Sequence, residues 1–185
     1  MKQVLVILFT GICALSCNDK NTATTATIAD STTTAAPPER LDYPYTLDHP
    51  YQDWQPGNQQ HAVMVMKSLK AYENGNIEEC MQGFGDSVTI RFDGYQARLS
   101  KDSLKNMFVK SRGEVASVVI KMGDWESVIS KDKKDEYVTL WYKEIETDKR
   151  GKTDSLSVID DLKIVNGKII ELDQKIQHFP AVKNK

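Results

Sequence analysis

From Val115 onward the chain keeps a two-residue hydrophobic period for more than sixty residues, broken only by short polar or glycine-bearing connections. Four runs carry it: about 117 to 130, 136 to 147, 154 to 165 and 168 to 179. Lys131-Asp132-Lys133-Lys134-Asp135 joins the first two, the stretch 148 to 153 the next two, and Asn166-Gly167 the last two. Alternation at this period places side chains on opposite faces of a strand, and Asn-Gly between such runs is a strong hairpin signal. Successive hairpins predict an antiparallel meander. A doubly wound sheet would need a helix between each pair of strands.

The sequence ahead of the meander reads as helical. Ala62, Val65, Met66, Leu69 and Tyr72 recur at helical spacing and Gly75 supplies a stop. Asn76, with Glu79 three residues on, opens a second helix whose apolar face is Ile77, Cys80, Met81 and Phe84. Val88, Ile90 and Phe92 then alternate as a strand closed by Asp93-Gly94. Ser100 and Asp102 start a third helix carrying Leu104, Met107 and Phe108. The expected class is α+β, with three helices set against an antiparallel sheet.

Charge excludes some functions. Lys and Arg number 24 against 26 Asp and Glu, a formal net charge of -2. Nucleic-acid binding needs a basic stripe to displace counterions, and the densest basic cluster, Lys149-Arg150-Gly151-Lys152, falls in a turn. No nucleic-acid partner is expected. His49, His61 and His178 are scattered without metal-ligand spacing, so neither a metal nor another cofactor is expected.

The first residues set an expected address. Lys2, an apolar run from Val4 to Ile12 and then Ala14-Leu15-Ser16-Cys17 have the layout of a secretory signal, too short to span a bilayer as a mature helix. The cysteine after Ala-Leu-Ser resembles the bacterial lipobox, although the leucine that pattern prefers three residues before the cysteine stands one step later, at Leu15. The resemblance implies cleavage before a lipidated Cys17, with the membrane as a partner and the cell envelope (periplasmic face or cell surface) as the location. Cys13 would leave with the signal, so Cys80 alone would remain as a free thiol, expected in the core. Residues 18 to 40, almost all Thr, Ala, Asp and Pro, are too poor in apolar surface to fold and read as a tether. A flexible chain of 23 residues has an end-to-end distance of about 25 Å. Residues 41 to 57 interleave Tyr43, Tyr45, Tyr51 and Trp54 with three prolines, which suits an extended arm packed on the domain. The domain itself is read as 58 to 180, with 181 to 185 a tail.

Helix, short helix, strand, turn, helix and a four-strand meander together resemble the nuclear transport factor 2-like fold (cystatin-like), in particular its SnoaL-like branch. Local matches are Leu69-Lys70-Ala71-Tyr72-Glu73-Asn74-Gly75-Asn76, the entry from Phe84 to Asp93, and Val165-Asn166-Gly167-Lys168-Ile169-Ile170. The resemblance implies a strongly bent antiparallel sheet that wraps the helices into a cone, with any ligand inside.

Strand parity marks candidates for that interior. Leu156, Val158, Leu162 and Ile164 form one row, and Asp160 stands in it. Ile170, Leu172 and Ile176 share a row with Gln174 and His178. Gly123 is read as a bulge that carries Trp125 onto the face of Val118, Ile120 and Met122. The candidate pocket is therefore Trp125, Tyr142, Asp160, Gln174 and His178, with Asp160 and His178 the candidate catalytic pair. Three readings remain open: a noncatalytic module for a small apolar or amphiphilic ligand or a protein partner; an isomerase, cyclase or hydrolase using Asp160 as its acid; and a structural homodimer joined through the sheet face. In the bland reading of Asp160 it pairs with a backbone group or Arg98 and, with Asp161, straddles a bulge, while Trp125 and Trp141 are core or interface aromatics. A cone filled by Met64, Met81, Met107 and Met122 would favour the structural dimer.

Overall fold

The computed structural model describes residues 43 to 178; the expected signal, the expected anchor at Cys17, the stretch 18 to 40 read as a tether and the 181 to 185 tail lie outside them. The chain divides into two compact units at Thr46, and the second, Leu47 to Lys185, holds every helix and strand described here. In order these are β1 (Gln55–Pro56), α1 (Gln59–Glu73), α2 (Ile77–Cys80), a single 3-10 turn, β2 (Phe84–Phe92), β3 (Tyr95–Ser100), α3 (Lys101–Glu114), β4 (Val115–Ile129), β5 (Glu136–Asp148), β6 (Thr153–Val165) and β7 (Lys168–His178).

Each helix begins where a polar side chain can cover its unpaired amides. Asn58 accepts the Gln60 N–H at 2.9 Å, Asn76 accepts that of Glu79 at 3.3 Å, and Ser100 accepts that of Ser103 at 3.2 Å. Asn76 also donates its side-chain amide to the Glu79 carboxylate at 2.8 Å. Inward from its cap, α1 buries Ala62, Val65, Ser68 and Ala71 on one stripe. Gly83 sits against that stripe so closely that a Cβ there would come within 2.2 Å of the Ser68 Oγ.

Seven strands form one sheet in the order β1-β4-β5-β6-β7-β2-β3. The meander β4 to β7 is antiparallel throughout, and the Asn166-Gly167 turn between β6 and β7 has both residues at positive φ, 50° and 69°. The sheet as a whole is mixed, however: β2 lies parallel to β7, with Ile90 opposite Leu172. The expectation of a purely antiparallel sheet is corrected here. It failed because the period of a strand gives its faces but not its neighbour, and β2, followed by the hairpin strand β3 and by α3, docks on the far edge of the meander rather than beside β4.

Register breaks interrupt the ladder within β4 at Met122/Asp124, within β2, and at Lys163/Ile164 of β6. A bulge bends its strand and adds twist, which shapes a sheet around what it covers. Gly123 occupies the first of these breaks, where an added Cβ would lie 3.0 Å from the Trp141 carbonyl oxygen. The last break corrects a face assignment. Ile164 pairs with Ile169 while Leu162 pairs with Leu172, so Ile169 turns inward, 1% exposed, in place of Ile170.

One face of the sheet is lined with apolar side chains: Val138 and Leu140 of β5, Leu156, Val158, Leu162 and Ile164 of β6, and Ile169 and Leu172 of β7 are all buried. They pack with Ala62, Val65 and Ala71 of α1, Leu104 of α3, and Val88 and Ile90 of β2. Cys80 belongs to the same core, and burial pushes its thiol up to about 12. Of the arm, Gln55 and Pro56 pair with the end of β4, and Trp54 meets Tyr137 edge-on at 5.8 Å. Tyr51 stands exposed, as do Tyr43 and Tyr45 in the first unit, so the aromatics of 41 to 51 bury little of their surface.

Candidate functional site

The inward faces of β5, β6 and β7 do not close fully against the helices. Between them is a cavity of about 420 Å³, walled by Val65, Leu69 and Tyr72 of α1, Met107, Phe108 and Ser111 of α3, Phe84 and Phe92 of β2, and inward residues of the three meander strands. Its aromatic wall is ordered by edge contacts: Tyr72 meets Phe108 at 5.5 Å and Phe108 meets Phe84 at 5.8 Å between ring centroids. Phe92, Met107, Ser111, Glu146, Gln174 and Ile176 line the cavity while remaining partly or fully exposed.

Polar groups enter this apolar chamber from the sheet and from the pair α1 and α3. Leu140, Asp160 and Gln174 stand opposite one another on β5, β6 and β7. Tyr142 is the diagonal neighbour of Asp160, a separation that an aromatic side chain can bridge. Its hydroxyl donates to Asp160 Oδ2 at 2.9 Å, and Gln174 Nε2 donates to Asp160 Oδ1 at 3.0 Å. Burial pushes the Asp160 carboxyl up to about 6, against the pull of these two donors. Tyr142 is raised well above the usual phenol range, first by burial and then by the Asp160 charge.

A second acid pair sits one step along β5. Glu144 is 9% exposed and lines the cavity beside Glu146. Burial first, and then a hydrogen bond to Glu146 with the charge of that neighbour, push the Glu144 carboxyl up to about 8. At neutral pH burial therefore favours the protonated form of Glu144. On the helix side the Tyr72 hydroxyl and Ser111 Oγ lie 3.2 Å apart, and Ser111 donates to the Phe108 carbonyl at 3.3 Å.

Of the five expected pocket residues, Tyr142, Asp160 and Gln174 line this cavity together, and two do not. Trp125 does share a face with Leu140, its cross-strand partner, as the Gly123 bulge implied. Yet β4 is an outer strand, paired beyond β5 only with the two-residue β1, and Trp125 is 46% exposed and outside the cavity. His178 stands opposite Leu156 at the end of β7, exposed, and the cavity wall on that strand stops at Ile176. Asp160 and His178 are therefore not brought together. The bland partner fails as well, because Arg98 donates to Ser87 Oγ at 2.9 Å, and the register runs unbroken through Asp160 and Asp161. Asp161 faces outward, where it accepts from Thr139 at 2.7 Å and from Lys175 at 2.9 Å.

Glu144 escaped the sequence reading although the signal was present. It continues the row of Val138, Leu140 and Tyr142 on β5, and the same parity argument that singled out Asp160 applies to it. The methionines do not fill the chamber: Met107 alone of the four lines it, Met81 is buried in the core, Met122 packs against the core, and Met64 faces an outer groove beside Gly83. Among the described residues no group of three His, Cys, Asp or Glu side chains is placed to hold a metal ion, and no helix is long and apolar enough to cross a membrane.

No protein-family model and no curated protein matches this sequence. Solved structures do. An LEH-like epoxide hydrolase from M. tuberculosis is 14% identical with a TM-score of 0.52, covering 64% of this chain and 84% of that one. A nuclear transport factor 2-like protein of unknown function from Exiguobacterium sp. 255-15 is 12% identical with a TM-score of 0.52, over 62% and 98%. An uncharacterised cystatin-fold protein from Novosphingobium aromaticivorans matches at 12% identity and 0.52, over 62% and 97%. At these identities the likeness is one of fold. With its helices on one face of a bulged, seven-stranded sheet, the domain has the nuclear transport factor 2-like, cystatin-like α+β fold.

Proposed function

We propose that the domain binds a small ligand, mostly apolar with one polar end, in the chamber between the sheet and the helices. The observation that carries this reading is the chamber itself: about 420 Å³, apolar over most of its wall, with polar groups converging on one side. Ligand sites are commonly of this size and make-up. A noncatalytic role is favoured by Asp160, whose two carboxylate oxygens are both engaged by protein donors. It anchors Tyr142 and Gln174 instead of facing an empty space where a substrate proton would lie.

A neutral naphthylamine fluorophore such as N-phenyl-1-naphthylamine tests the reading. Saturable binding at one site per chain is expected, and Met107→Trp, which puts a larger side chain at the partly exposed wall, should weaken it by about tenfold or more while the melting curve stays cooperative. Absence of saturable binding, or binding untouched by that substitution, would contradict the reading.

An enzymatic reading has one specific observation in its favour, two buried carboxyls held at different protonation levels, about 6 for Asp160 and about 8 for Glu144. The M. tuberculosis neighbour is an epoxide hydrolase. Turnover of an epoxide that disappears in Asp160→Asn while fluorophore binding persists would make this reading the stronger one.

The proposal places the domain at the cell envelope on a lipid carried by Cys17. The support is the signal-like start and the polar stretch that follows it. Cys17→Ser is expected to move the protein from the membrane fraction to the soluble fraction, read by centrifugation and immunoblotting. A variant that stays with the membrane while its signal is still cleaved would refute the anchor.

A further inference from the structure

The charged groups that line the chamber share a property that narrows the ligand: they are all acids. Among the described residues Glu144, Glu146 and Asp160 line it, and no lysine, arginine or histidine does. The neighbouring cations are engaged elsewhere. Arg112 spends its guanidinium on the backbone carbonyls of Tyr72, Glu73 and Val115, and Lys175 binds Asp161 and Asp173 on the outer face.

The hydroxyl and amide groups point the same way. A carboxylate can only accept, so the Tyr142 proton and one Gln174 N–H are both committed to Asp160. Gln174 also serves the Tyr142 oxygen, which leaves Gln174 Oε1 as the free acceptor of that cluster. The Tyr72 hydroxyl and Ser111 Oγ share a hydrogen bond in which either can donate, so this pair offers the chamber acceptor lone pairs as well. A ligand that brought acceptors or an anion would meet lone pairs and carboxylates in a largely apolar chamber, which is costly. One that brought N–H donors and positive charge would find several acceptors and the faces of Tyr72, Phe84, Phe92 and Phe108, aromatic groups that attract cations.

Building on the ligand-binding reading above, we infer that the chamber selects a small organic amine, protonated at neutral pH, with its ammonium group toward Glu144 and Glu146 and its apolar part against the aromatic wall. A metal ion is a poorer fit, because the acidic groups are not clustered to coordinate one.

Octylamine, octanol and octanoate share one chain length and differ in the head group, so they separate the two layers of the argument. Each is titrated against the full chain at neutral pH by displacement of the neutral fluorophore, on the natural sequence and on a Glu144→Gln, Glu146→Gln double variant. The expected order is octylamine about tenfold or more tighter than octanol, with octanoate weakest. In the double variant the amine should lose most of that advantage while octanol binds as before, which also reports that the chamber is still folded. Octanol binding as tightly as octylamine would overturn the amine inference and leave the apolar chamber standing. An amine advantage that survives in the double variant would overturn the assignment to Glu144 and Glu146. Binding of none of the three would overturn the ligand-binding reading and this inference together.

Discussion

Glu144→Gln is expected to make the domain more stable than the natural sequence at alkaline pH and to leave it little changed near pH 5. The reason is proton linkage. Burial raises the folded-state carboxyl from 4.5 to about 8, so between those values the folded chain keeps a proton that the unfolded chain has released. Stability then falls as the pH climbs through this window, and the whole penalty is in force above about 8. Asp160, raised from 3.8 to about 6, acts with the same sign over its lower window. At about 1.4 kcal/mol for each pH unit between folded and unfolded values, the Glu144 contribution has a ceiling on the order of 5 kcal/mol. Glu144 keeps 9% of its surface exposed, so water offsets part of that penalty, and an effect of about 2 kcal/mol is expected. Glutamine keeps a donor for Glu146 and cannot ionise. Urea unfolding of both proteins at pH 5, 7 and 9 measures the difference; curves for the natural sequence that are flat to pH 9 would show that Glu144 is solvated in the folded state.

Leu104→Ala should cost about 2 to 5 kcal/mol, the range for removing a fully buried leucine side chain. Leu104 is 0% exposed and is the one buried residue of α3. The rest of that helix touches the domain through half-buried groups, among them Met107 and Phe108 of the cavity wall. A loss at this position should therefore be felt first in α3, with fast amide hydrogen exchange along Lys101–Glu114 and loss of fluorophore binding at denaturant concentrations where the meander remains protected. Val109→Ala, at a position 51% exposed on the same helix, serves as the control and should stay within about 0.5 kcal/mol of the natural sequence. Equal effects of the two substitutions would show that α3 is not pinned through Leu104.

Most of the architecture was legible in the sequence because alternation and caps are local signals. The four meander runs, the caps at Asn76 and Ser100 and the Asn166-Gly167 hairpin all depend on residues a few positions apart. What escaped is non-local or depends on a single inserted residue. The parallel docking of β2 on β7 joins segments some eighty residues apart, and no local pattern records it. The bulge at Lys163/Ile164 shifts the phase of β7 against β6, so that Ile169 rather than Ile170 faces inward. β3, with Gln96, Arg98 and Ser100 alternating with small or apolar residues, is mostly exposed and offered only a weak hydrophobic period.

The site was legible to a similar depth. Parity put Asp160 and Gln174 in apolar rows, and they meet inside with Tyr142. Parity cannot say how far along a strand the helices reach, and Trp125 and His178 fall beyond that cover. Glu144 stands in the inward row of β5 with Val138, Leu140 and Tyr142. A glutamate near the end of a long strand reads as a solvated group until the helix packed over it, with Tyr72, is known.

Methyl-resolved nuclear magnetic resonance during titration with octylamine tests the central claim most directly, because it reports where in the molecule a small ligand goes. The claim predicts saturable shifts at the cavity methyls of Leu69, Met107, Leu140, Leu156 and Ile176, with Val119 and Val165, exposed and outside the chamber, unmoved. Shifts confined to Val119 and Val165, or none at all at saturating ligand, would contradict it.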